Sequence, residues 1–131
     1  MPGGLTRAQV EQEHRTLREL TRIVSILAKA CRCGAVVPDL RTRVQLLATR
    51  LRAHFAAEIA ALPDLRWGLK GAGGTTTEQH VGRHDVLVGA IEAAGSSGLS
   101  DYERAQMVLP ALIGIEEHMA EEVADWDAAD A

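Results

Sequence analysis

Residues 40–62 read LRTRVQLLATRLRAHFAAEIAAL, and the apolar members Leu40, Val44, Leu47, Leu51 and Leu62 recur at the three- and four-residue spacing of one helical face. His54 and Glu58 stand on that same face, four residues apart and hence one helical turn from each other. The stripe predicts a buried helix that carries a histidine and a carboxylate inward. It is expected to run from about Asp39 to Leu62 and to stop before Pro63, whose ring and missing N–H oppose continuation.

Three further segments have the same character. Val10, Leu17, Leu20, Val24, Leu27 and Cys31 predict a helix from about Leu5 to Cys33, with Gly34 as its stop. Thr75-x-x-Glu78 matches a capping box and opens a helix over Thr76 to Ala94, ended by Gly-Ser-Ser-Gly. Ser100-x-x-Glu103 is a second such box, opening a helix through Val108, Leu112, Ile115 and Val123 to about Asp127. Pro110 should kink this last helix or set off a short first segment. Pro63 to Gly74 reads as the one sizeable loop, with Trp67 expected to cap the bundle end. Four amphipathic helices with mostly short connections predict an all-α, up-down-up-down four-helix bundle, formed as one domain over residues 1–131.

Composition agrees. The chain has 131 residues, 47% of them hydrophobic, and four aromatics, too few and scattered for the alternating runs of a β-sandwich. A net charge of −4 argues against a nucleic-acid binder, which needs a basic face for phosphates. Neither a secretory signal nor an apolar run of about 20 residues appears, so a cytoplasmic protein without a membrane partner is expected. Cys31 and Cys33 are too close in sequence to bridge well and read as reduced thiols, with a redox or intermolecular role as the alternative. Residues 1–70 hold 12 Lys/Arg against 6 Asp/Glu, whereas residues 71–131 hold 2 against 12. Such asymmetry suits basic and acidic helices facing one another, or an acidic protein partner docking on the first hairpin.

All five histidines lie on or beside a core stripe: His14 between Val10 and Leu17, His54 after Leu51, His80 and His84 before Leu87, and His118 after Ile115. Glu58 and Glu122 follow His54 and His118 by four residues each. Burying a polar group without a partner costs on the order of 1–3 kcal/mol, and an unpaired carboxylate more. Seven such interruptions of one core call for a common partner. A metal ion satisfies them together, because mixed imidazole and carboxylate donors suit first-row metals and facing bundle helices are where dinuclear sites are built.

Helix register tests that idea. His54 and Glu58 lie eight and four residues before the expected end of the second helix, and His84 and His80 eight and four after the start of the third. His14 and His54 agree in height to about 6 Å at 1.5 Å per residue. The connection Gly95 to Leu99 must climb about 12 Å along the axis for His118 to reach His84.

His14, His54-x-x-x-Glu58, His80-x-x-x-His84 and His118-x-x-x-Glu122 together resemble the ligand signature of hemerythrin-like, or HHE cation-binding, domains. The resemblance covers nearly the whole chain. It implies two iron ions with an oxo or hydroxo bridge: His80, His84 and His118 on one, His14 and His54 on the other, and Glu58 and Glu122 between them. The iron with fewer histidines would keep the open position at which respiratory members of the family bind O2. The oxygen-carrier form has Asp five residues after the last histidine, whereas this chain has Val123 there and Glu122 at spacing four.

The expected function is binding of O2 or a related small oxidant, nitric oxide or peroxide, with Leu17, Leu51, Phe55 and Ile115 as an apolar pocket excluding water. The alternatives are a diiron redox enzyme that decomposes peroxide, and an oxygen, iron or redox sensor acting through a protein partner. No proton donor for catalysis stands out, since Tyr102 is four helical turns from His118.

Overall fold

The computed structural model describes residues 6–65 and 77–130, leaving aside the side chains of residues 61–65, 77, 78, 80 and 125–130. Four α-helices follow one another: α1 (Arg7–Arg32), α2 (Leu40–Leu65), α3 (Thr77–Ala94) and α4 (Asp101–Asp130). α1 and α3 each pack against both α2 and α4, so the helices form a closed ring in chain order, an up-down-up-down bundle. None of the helices described is long and apolar enough to cross a membrane.

Local chemistry sets the helix ends. Thr6 and Gln9 form a capping box at the start of α1: Gln9 N–H donates to Thr6 Oγ1 at 3.2 Å and Thr6 N–H to Gln9 Oε1 at 2.8 Å. At its other end Ala35 N–H reaches Ala30 O at 3.0 Å and Gly34 N–H reaches Cys31 O at 2.9 Å. That pair of bonds is a Schellman motif, and it puts Gly34 at φ 99°, a left-handed conformation suited to glycine. The expected box at α4 is present, with Glu103 N–H on Ser100 Oγ at 3.1 Å and Ser100 N–H on Glu103 Oε1 at 3.0 Å. The Thr75–Glu78 box and Trp67 fall outside the described residues.

The structure corrects the expectation at Pro63 and removes one of the two alternatives at Pro110. α2 does not stop before Pro63 but continues to Leu65, because proline's fixed φ is itself helical and one lost N–H does not end a helix already formed. α4 is one continuous helix through Pro110, without a separate first segment. Both Pro110 and Gln106, whose carbonyl lost its N–H partner, are on the exposed side, where water can hydrate that carbonyl.

The inward faces divide the core lengthwise. Toward one end lie Val24, Ala28, Leu40, Val44, Leu47, Ile91, Val108 and Leu112, all buried. Toward the other, the same helical stripes present His14, His54, Glu58, His84, His118 and Glu122, also buried. Between α3 and α4, a Cβ on Gly114 would stand 3.0 Å from Leu87 Cδ2. Gly114 therefore allows close approach one turn before His118, on the helix pair that brings His84 and His118 together.

The link between α3 and α4 behaves as the register requires. His84 is ten residues before the end of α3 and His118 seventeen after the start of α4, yet their Nε2 atoms are 3.1 Å apart. α4 thus begins about 10 Å beyond the end of α3 at 1.5 Å per residue, and residues 95–100 span the difference. Arg104, only 3% exposed, holds this link from within. Its Nη1 donates to the carbonyls of Ala94 (2.9 Å) and Ser96 (3.1 Å), and its Nη2 to that of Leu99 (3.2 Å).

Candidate metal centre

Each carboxylate lies in i, i+4 relation to a histidine, His54/Glu58 on α2 and His118/Glu122 on α4, so one helical turn points both members of each pair inward. His14 from α1 and His84 from α3 complete the ring around them. Glu58 Oε1 is 3.2 Å from His14 Nε2 and in close contact with His54 Nε2, while its Oε2 faces His84 Nε2 at 3.6 Å. Glu122 Oε1 is 3.1 Å from His14 Nε2, and its Oε2 lies 3.1 Å from His118 Nε2 and 3.8 Å from His84 Nε2. Each glutamate therefore turns one oxygen toward each histidine pair.

Two overlapping donor groups result. His14, His54, Glu58 and Glu122 form one; Glu58, His84, His118 and Glu122 form the other, with the donor atoms within 4.8 Å of one another in each. Both groups could hold a metal ion, and both glutamates belong to both.

Electrostatics support a cation. Glu58 is 0% exposed and Glu122 1%, so water screens neither charge. Burial pushes the Glu58 carboxyl upward, but hydrogen bonds with His14, His54 and Glu122 and the charge of His54 outweigh it and hold it well below the ordinary range. Burial likewise opposes charging of His54, yet hydrogen bonds and attraction from Glu58 and Glu13 leave it raised. Among the described residues Glu58 Oε2 makes no hydrogen bond, since His84 Nε2 at 3.6 Å is beyond reach. The facing Nε2 atoms of His84 and His118 present two imidazole nitrogens to one space. These donors fit an imidazole- and carboxylate-binding metal.

Six of the seven expected donors are thus brought together. The seventh, His80, lies on α3 one turn before His84, but its side chain is outside the described set. Of the expected apolar wall, Leu17, Leu51, Phe55 and Ile115 are all buried in the core cluster. Phe55 is the member seen against the histidines: it stacks on His84 with centroids 3.7 Å apart and planes at 6°, and meets His118 edge-on at 5.4 Å. Clefts of about 340, 380 and 610 Å³ lead inward to His54, His84 and His118, respectively.

Two residues near the site or its frame escape the sequence reading. Glu13 places Oε1 2.7 Å from His54 Nδ1. The one signal for it was a carboxylate immediately before His14. Arg104 carried no signal, because its partners are backbone carbonyls of another segment. Comparison with family models, with curated proteins and with solved structures returns no match for this chain.

Proposed function

We propose that the chain is a hemerythrin-like diiron protein that binds O2 or a related small oxidant, nitric oxide or peroxide, in the bundle core. The observation carrying this reading is the sharing of Glu58 and Glu122 between two histidine pairs, since a mononuclear site has no use for two carboxylates that each face both ways. His14 and His54 would hold one iron, His84 and His118 with His80 the other, and the two glutamates would bridge them. Iron held by these residues would supply the electrons for reversible combination with, or reduction of, a small oxidant.

The protein's own groups prepare the site for this. Glu58 and Glu122 offset the metal charge in a region without solvent. Phe55 lies flat on His84 and limits rotation of that ring. Leu17, Leu51 and Ile115 keep the inner wall apolar, which excludes water from a bound oxidant.

The test is the visible spectrum of the reduced, iron-loaded protein before and after air, followed by azide. Binding predicts a ligand-to-iron band that appears with O2 and is reversed by its removal. Oxidation in one irreversible step would remove the O2-binding reading and leave only the metal centre.

A further inference from the structure

His54 is approached from both sides by carboxylates. Its Nε2 faces Glu58 in the core, and its Nδ1 lies 2.7 Å from Glu13 Oε1. The two glutamates differ in setting: Glu58 is 0% exposed, whereas Glu13 is 38% exposed at the mouth of the cleft lined by Thr16, Leu17, Arg50, Ala53 and His54. Glu13 immediately precedes His14, and successive helical residues point about 100° apart. One turn of α1 therefore sends His14 into the cluster and Glu13 across to the outer edge of the α2 histidine.

A neutral imidazole carries one ring hydrogen, and the acceptor it finds decides which nitrogen bears it. Glu58 would draw the hydrogen to Nε2, where it blocks the lone pair that a metal needs. Glu13 draws it to Nδ1. Without Glu13, His54 would pair with Glu58 through Nε2–H, and an incoming cation would have to break that pair.

We propose that Glu13 is a positioning residue of the centre: by accepting from His54 Nδ1–H it fixes the rotation and tautomer of the ring and leaves Nε2 free for a metal, an assignment that rests on the metal-binding reading above. Its short contact with a ring only 2% exposed separates it from the solvent-facing ion pairs of this helix, such as Arg22–Glu19. The second side of the ring then belongs to the metal and the first to the protein.

Two variants separate this role from packing: Glu13→Gln keeps an acceptor, and Glu13→Met keeps the volume without one. Proton–nitrogen NMR of the metal-free protein should show a slowly exchanging, downfield Nδ1–H of His54 in the unmodified chain, retained in Glu13→Gln and absent from Glu13→Met. After loading with Fe²⁺, Glu13→Met should lose iron to a chelator roughly 10- to 100-fold more readily, and Glu13→Gln far less so. No such Nδ1–H in the unmodified chain, or iron retention in Glu13→Met equal to it, overturns the proposal. An Nδ1–H that is present and lost in Glu13→Met, in a chain that takes up no iron, upholds Glu13 as the residue orienting His54 and overturns the metal reading alone.

Discussion

His54 stands between two carboxylates, a setting that could make it a metal donor and that also couples its charge to folding. In the metal-free chain its raised pKa means that the charged ring adds stability below 6.5, its ordinary value, and that this is lost as pH rises through the folded value. Glu58 is shifted downward, so its contribution is present above its ordinary 4.5 and lost as pH falls through the folded value. The metal-free melting temperature should therefore fall on both sides of a mildly acidic plateau. Metal competes with the His54 proton, so metal retention should strengthen as pH rises past the folded value. Titrating melting temperature and chelator resistance together checks both signs.

His54→Ala should lower metal content and the melting temperature of the loaded protein together, because metal binding to the native fold adds directly to its stability. Unchanged values of both would make His54 an ordinary core residue. The histidines and glutamates of the centre were legible because each occupies a place where the helical stripe calls for leucine, and burial of that many polar groups needs a common cause. Glu13 was not, since nothing in a half-exposed glutamate beside His14 indicates which neighbouring helix it faces.

At the scale of single elements, the spacing of apolar residues located α1, α2 and α4, the Gly-Ser-Ser-Gly stop located the end of α3, and the box at Ser100 marked the start of α4. The N–H of Ser100 on Glu103 holds that carboxyl below its ordinary value, so the cap weakens as acid protonates it. Proline neither ends α2 at Pro63 nor splits α4 at Pro110. Its penalty is one hydrogen bond and a local clash, which packing of the rest of a long helix can outweigh. Arg104 shows the complementary limit: an inward arginine looks like a flaw until its partners, the carbonyls of Ala94, Ser96 and Leu99, are seen. Arg104→Met should destabilise the protein by about 2 kcal/mol, since it strips charged hydrogen bonds from carbonyls at a buried helix end. A lower urea midpoint with an unchanged slope would report this, and metal content per folded chain should stay the same.

Across the whole molecule, antiparallel packing turns four separate turns of helix into one donor set. Because rise per residue is constant, counting along each helix sets His54 level with His84 and His14 within about 6 Å of His54, whereas His118 reaches that level only because the link after α3 climbs. The uneven charge of the two hairpins is expressed across the α2–α3 boundary by Arg52 and Glu92, while Arg83–Glu121 at 2.5 Å joins α3 to α4 within the acidic half. Both pairs are substantially exposed and contribute little stability each. Complementary helices thus describe only part of that asymmetry.

The proposed function requires the two donor groups to hold one dinuclear iron centre with Glu58 and Glu122 shared. Metal analysis of iron-replete protein combined with Mössbauer spectroscopy tests it most directly. Two irons per chain, magnetically coupled through their bridges, are expected. A single uncoupled iron per chain, or four-coordinate zinc at full occupancy, would contradict it.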